Sequence, residues 1–331
     1  MSKAKKKKVS FSIRYPNSAG IDVGSKSHYV AIGQSKNDVK EFGVYNEDLG
    51  FLVQHLLDYD ITHVCMESTG TYWQSLYSFL LDAGIVVCLC NGKYTKNPSG
   101  KKTDVLDCQN IQLMYSLGMI PSSFLPDSIT EELRTYTRHR SSLIGAEADS
   151  VRRMQKYLRL LNVRLDVVVK DITGLTGIKI IQAICAGERS PEILASFRNG
   201  NCKKPIEEFV KALQSNHRQE YLRCLKLELA QYKNTRALID ETDDFIKSLL
   251  DDFITNDEKK IDLVVEKKPH KRINKNTPKN MDLNQLSFQY FEGVDLMAIE
   301  GVSHATVLSI MSEVGKEGFN KFESAKQFAS W

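Results

Sequence analysis

Of five short apolar runs within the first 90 residues, the last three are separated by segments of helical period, and a chain with that alternation buries its faces best as a mixed α/β sheet. "AGIDV", "HYVAIG" and "KEFGVYN" read as a strand meander, residues 47–58 as a helix, "THVCMES" as a buried strand, 72–83 as a helix and "IVVCLCN" as a further strand. The first run carries Asp22 in its middle. A carboxylate there needs a cation or hydrogen-bond donors, or else a place on an edge strand facing water. The loop "GKYTKNPSGKKT" leads into "DVLDCQNIQLMYSLG", where Ile111, Met114, Tyr115 and Gly118 keep a helical period. Asp104 and Asp107 then lie one turn apart on one helix face.

Asp22 on the first strand, Glu67 at the end of "HVCMES", and Asp104 with Asp107 on the later helix form a constellation. Residues at strand ends of an α/β sheet converge with a helix packed over the same edge. Four carboxylates in one place repel unless divalent cations lie between them, and Mg²⁺, with Mn²⁺ as substitute, takes such a partial oxygen cage. The chemistry this serves is phosphodiester cleavage or transfer. Gly20 and Gly24 on either side of Asp22 would let a nucleic-acid strand approach, with Lys26, Lys101 and Lys102 on its phosphates. By spacing alone, the pair on the helix reads equally as a solvated helix face, and Glu67 as a helix-start carboxylate.

The 331 residues, 42% hydrophobic and 26% charged, suffice for two or three units with a sizeable core. Seven cysteines without a CxxC pair indicate neither a disulfide framework nor a zinc site, and they read as small buried hydrophobes in a reducing cytosol. The basic N-terminus precedes no apolar segment, and "AGIVVCLC" is too short to span a bilayer, so a cytoplasmic chain without membrane association is expected. The net charge of +4 says less than its distribution. Lysines crowd residues 3–8, arginines load a long helix expected over 127–161, and "EKKPHKRINKNTPKN" forms a third cluster. Such clusters suit a polyanion. Arg134, Arg138, Arg140, Arg152 and Arg153 are the candidate backbone contacts, with salt bridges to neighbouring helices as the alternative.

"GIDVGSKSHYVAIG", "CMESTGTYWQSLYSFLLDAG", "NGKYTKNPSGKKTDVLDCQNI" and "DITGLTGIKIIQAICAGERSPEILA" resemble the insertion-sequence transposases of the DEDD, RuvC-like class, the IS-one-ten family. The resemblance runs from about residue 18 onward. It implies an RNase H-like fold, places Asp22, Glu67, Asp104 and Asp107 on the family's four metal-site acids, and implies Mg²⁺-dependent DNA transposition with a structured guide RNA from the element. It also implies a homo-oligomer, a dimer or tetramer.

"DITGLTGIKIIQAICAGE" and "MAIEGVSHATVLSIMSEVG" share a plan of apolar segment, glycine turn and apolar helix. A hairpin of this type aims helix-start N–H groups at a phosphate, which makes Gly174, Gly177, Gly301, Val302 and His304 DNA-backbone candidates; a turn that merely packs is the alternative. Between them, Leu222, Leu225, Leu229, Tyr232, Ile239, Ile246, Leu249 and Phe253 form a seam for a coiled coil or helical hairpin, between subunits or within one. Family members continue past the segment resembling "FESAKQFASW" into a region supplying a nucleophilic serine. The chain is therefore expected to be C-terminally truncated, and Ser303, Ser309, Ser312, Ser324 and Ser330 are not assigned that role.

The expected organisation is a basic tail (1–17), an RNase H-like α/β domain (18–165), a helical region with a coiled-coil-like hairpin (166–255), a basic linker (256–283) and an incomplete helical, helix-hairpin-helix-like transposase domain (284–331). A structure-selective Mg²⁺ nuclease and a non-catalytic nucleic-acid-binding remnant are the alternative functions.

Overall fold

The computed structural model describes residues 12–68, 70–95, 103–123, 127–256, 265 and 273–330. It divides into two compact units, Met1–Leu125 and Pro126–Trp331.

In the first unit, β1 (Ser18–Val23), β2 (His28–Ala31) and β3 (Val39–Phe42) form the expected meander, followed by α1 (Asn46–Asp58), β4 (His63–Glu67), α2 (Trp73–Asp82) and β5 (Val86–Cys90). A short α3 (Gly92–Thr95) falls where a loop was expected, and α4 (Asp104–Ser116) closes the unit. The sheet order is β3-β2-β1-β4-β5, with β1 antiparallel to β2 and parallel to β4, and β4 parallel to β5. This is an RNase H-like arrangement.

Period-2 alternation sorts the two faces. Ala19, Ile21, Val23, Val64 and Met66 pack with Leu49, Leu52 and Leu56 of α1 and Leu76 and Leu80 of α2. Cys65, Cys88 and Cys90 turn the other way, onto Ile111 and Tyr115 of α4. All seven cysteines are free thiols, and Cys65, Cys88, Cys90 and Cys108 are buried.

The second unit is built on α5 (Ser128–Leu160, 33 residues), started by the Asp127 side chain accepting from the Thr130 N–H. Four short helices follow, α6 (Leu165–Val168), α7 (Leu175–Ala186), α8 (Pro191–Ser196) and α9 (Ile206–Ala212), and then α10 (Gln219–Asn256, 38 residues). Beyond come α11 (Leu283–Tyr290), α12 (His304–Glu313), α13 (Gly315–Gly318) and α14 (Ala325–Ser330). Arg153 pairs with Glu228, Arg236 with Glu147, and Arg140 with Asp243, so α5 and α10 run antiparallel.

The helix pair has an apolar core at each end. Met154, Leu158, Leu222, Leu225 and Leu229 pack with α6–α9 at one end, and Leu133, Ile246 and Leu250 pack with α11 and α12 at the other. The seam read from the sequence is thus taken up within the chain, and residues 219–256 form one helix rather than a hairpin.

Between the two cores lies a polar layer. Arg140 meets Asp243 at 2.5 Å with both side chains buried, and Glu147 is buried beside Arg236 and Lys275. Residues 273–280 lie across this layer as a strap. Arg140 donates to the Asn276 carbonyl, Arg236 to the Lys275 carbonyl, the Lys279 N–H to Asp243 and the Lys279 ammonium to Asp240. The expected linker 256–283 is therefore ordered from residue 273 onward. Its lysines there neutralise carboxylates of α5 and α10, and residues 257–264 and 266–272 lie outside the described residues.

By compactness the chain divides earlier than the boundary expected at 165. Contacts separate at 125/126, because α5 buries its apolar stripe against α10. The helices expected in two further domains share its two cores. No helix among the described residues is long and apolar enough to cross a membrane.

Candidate active site

Two backbone facts place the acids. Thr103 caps α4 by accepting from the Leu106 N–H, which sets Asp104 and Asp107 in the first helical turn, where the helix dipole favours negative charge. α4 lies directly on β1: a Cβ added to Gly20 would sit 2.8 Å from Gln112 Cα and closer still to the Gln112 nitrogen and the Cys108 carbonyl oxygen. The missing side chain of Gly20 is therefore required by a helix backbone and not, as expected, by an approaching nucleic-acid strand. Gly24 likewise serves its own turn, since a Cβ there would meet the Ser27 carbonyl oxygen at 2.6 Å.

Asp22 is two residues beyond Gly20 and so faces the α4 side of the sheet. Its cross-strand partner on β2 is Tyr29. On the other side, Gly20 pairs with Cys65 and Ile21 with Met66, and one more step of that register brings Glu67 beside Asp22. Glu67 shares the face of Cys65, which packs on α4. Asp22, next to last in β1, and Glu67, last in β4, thus lie on adjacent parallel strands about 4.8 Å apart, pointing to one side.

Electrostatics ties the α4 acids to the same neighbourhood. The Cys108 thiol is pushed up to about 12, first by burial and then by the charge of Asp22, with Asp107 adding to it. The Tyr29 hydroxyl is raised by its hydrogen bond to Glu41, by burial and by the charges of Glu41 and Asp104. Asp22 and Asp107 thus both act on Cys108 of α4, and Asp104 acts on Tyr29, the cross-strand partner of Asp22.

The position of Glu67 has a feature the sequence reading missed. α3 starts at Gly92, just past β5, and a Cβ on Gly92 would lie 2.5 Å from Glu67 Oε1 and 2.8 Å from its Cδ. The only sequence signal was a glycine two residues past the strand neighbouring that of Glu67. Because the obstructing atoms end a flexible side chain, Gly92→Ala should leave the fold intact while turning the carboxylate aside. The expected result is an unchanged melting temperature with any acid-dependent strand cleavage lowered about tenfold, roughly 1.4 kcal/mol in the barrier. Cleavage unchanged at equal stability would separate Glu67 from the chemistry.

Residues 19–163 match the family model for DEDD transposases of IS110 type, described as a transposase. The chain carries an IS110-family transposase domain. No curated protein matches the chain. The matched segment runs from β1 through α5 and contains all four acids.

The donor set is all carboxylate oxygen, the chemistry of a hard divalent cation. The spacing falls short of a formed site: among the described residues no group of three or more His, Cys, Asp or Glu is arranged to hold a metal ion.

The candidate nucleic-acid contacts fare unevenly. Lys26 is exposed in the β1–β2 turn, whereas Lys101 and Lys102 lie outside the described residues. The arginine row is largely spent on protein. Arg134 donates to the carbonyls of Ser312 and Glu313 at the end of α12, and Arg138 grips Glu313 with two hydrogen bonds at 2.8 Å. Arg140 is buried on Asp243 and offers nothing to a phosphate. The reason is that α10 and α12 present carboxylates and carbonyl ends to the arginine face of α5. Arg152 pairs with Asp149 and Arg153 with Glu228, with Arg152 the more exposed, its side chain 72% accessible.

Gly174 caps α7 without a side-chain hydrogen bond. Gly177 is buried, and a Cβ there would lie 2.6 Å from the Ile172 carbonyl carbon, so close packing accounts for this glycine and the phosphate-contact expectation is withdrawn for it. Gly301 holds φ +82° just before α12, whose first residue is His304. Ser303 caps that helix, and Ser312 is fully buried with its hydroxyl on the Ser309 carbonyl.

Proposed function

We propose that this chain acts in DNA transposition for an insertion sequence, with Asp22, Glu67, Asp104 and Asp107 as its cleavage centre. The observation that carries the reading is the register of β1 on β4, whose next step sets Asp22 beside Glu67 on the face that α4 covers. Bound Mg²⁺, or Mn²⁺ in its place, would supply Lewis-acid polarisation of the scissile phosphate and a more reactive attacking oxygen. Asp22 and Glu67 hold fixed strand-end positions, while Asp104 and Asp107 are carried by the first turn of α4. Lys26, in the turn after Asp22, is placed to hold a phosphate of the strand being cut, with Lys101 and Lys102 assigned the same task.

In the helical unit, the start of α7 at Gly174, the Gly301–His304 turn and the exposed faces of Arg138, Arg152 and Arg153 are the proposed backbone contacts. A structured guide RNA from the element and a homo-oligomeric assembly complete the reading, both resting on the family resemblance.

The test is strand cleavage with Mg²⁺, the element's ends and its flanking RNA, on the 331-residue chain and on any longer in-frame product of the same gene. Cleavage abolished by EDTA and reduced about 100-fold by Asp22→Asn is expected. Cleavage in neither product, or cleavage indifferent to Asp22→Asn, would overturn the reading.

A further inference from the structure

A cleft of about 530 Å³ opens in the helical unit between α5, the strap and the start of α12. Two of its lining residues, Thr137 of α5 and Asn276 of the strap, each hold a buried side-chain oxygen, Oγ1 and Oδ1, without a hydrogen-bond partner among the described residues. Buried polar atoms are normally satisfied, so each marks a place where a ligand's hydrogen-bonding edge is favoured. Ile144 and Leu308 add apolar wall beside them. The mouth has a different character: Ser303 and His304 begin the ten-residue α12, whose N-terminal N–H groups favour an anion, and Lys275 lies on the same rim.

Apolar walls suit a planar ring, a hydroxyl and an amide oxygen suit its edge, and a helix start suits one phosphate. The volume is within the range of about 300–1,000 Å³ that small-molecule pockets occupy. We propose that this cleft receives a single unstacked nucleotide of the bound strand, base inward and phosphate at the start of α12. The proposal rests on the reading that the chain handles nucleic acid, and it adds a base-accepting site in the helical unit, on residues other than the four acids. Unstacking one base costs a few kcal/mol and is repaid by such edge contacts and burial, which makes the cleft a place where one base of the strand is examined.

The experiment is calorimetric titration of the whole chain with each of the four 5′-deoxynucleoside monophosphates and, separately, inorganic phosphate. The account expects at least one nucleotide to bind about tenfold or more tighter than phosphate. Thr137→Val, which keeps the side chain's shape and removes its hydroxyl, should weaken that nucleotide about tenfold. Ala305→Trp, at an exposed position on the rim, should block it while the melting temperature holds. Phosphate binding as well as every nucleotide would reduce the cleft to an anion site and overturn the proposal. Nucleotide binding indifferent to both variants would overturn it too, as would no binding at all.

Asp22→Asn should leave nucleotide binding untouched. Failed cleavage with retained nucleotide binding therefore counts against the acidic centre alone, and acid-dependent cleavage without nucleotide binding counts against the cleft alone.

Discussion

Gly20→Val is expected to unfold the first unit's helix-on-sheet contact and to abolish cleavage with it, at a cost of about 4 kcal/mol or more. β1 is an extended strand, where valine is otherwise favoured, so propensity works against this outcome and only space can produce it. The atoms met by the new side chain are backbone atoms of Cys108 and Gln112, which cannot rotate away. α4 would have to lift, exposing Ile111 and Tyr115 and carrying Asp104 and Asp107 away from Asp22. Gly50→Ala is the control. Its Cβ would meet nothing within 4 Å, and inside α1 it should be neutral or stabilising by up to about 1 kcal/mol. Amide exchange over β1, β4 and α4 reads both variants, and a Gly20→Val chain with native protection there would refute the packing argument.

Breaking the Arg140–Asp243 pair should cost about 3–5 kcal/mol from either side, since each single change leaves a charge buried without its partner. For a unit of this size that is a fall of about 10 °C in melting temperature, visible by far-ultraviolet circular dichroism because α5 and α10 dominate the helix signal. Arg140→Met with Asp243→Leu together should lose less than the two single losses combined, and can approach the parent's stability, because no unpaired charge remains. The double change also removes the donor to the Asn276 carbonyl and the acceptor for the Lys279 N–H. The strap should then exchange its amides faster even where the helices recover. Additive losses would mean that the pair is not the element tying the two helices at their middle.

Much of the first unit was legible because each apolar run had one period and one length. The β1–β5 assignments hold with only small boundary changes, and the alternation within "AGIDV" already separated Asp22 from Ile21. α4 was readable from Ile111, Met114 and Tyr115, but its closeness to β1 was not, since a glycine gives no direction to what fills its space. The helical unit was less legible for a reason of charge. An arginine facing solvent and one facing a carboxylate 103 positions away in sequence look alike in one dimension, so Arg140 read as outward while it is the most buried cation of its row. The strap escaped for the same reason. "INKNTPKN" has only Ile273 and a proline among polar residues and reads as linker, yet it is held by carbonyl, amide and ammonium contacts to Arg140, Arg236, Asp243 and Asp240. The acids themselves were found by residue type and resemblance, whereas their adjacency rests on the β1–β4 register, which no local pattern encodes.

The central claim is that the two strand-end acids and the two acids of α4 serve one divalent cation centre. Binding of Mn²⁺ to the whole chain, followed through the free-ion electron paramagnetic resonance signal, tests it most directly. The account predicts saturable binding displaced by Mg²⁺, lost in Asp22→Asn and weakened in Gly92→Ala, whose added methyl turns Glu67 aside. Mn²⁺ bound with the same affinity in the parent chain and in Asp22→Asn would contradict it.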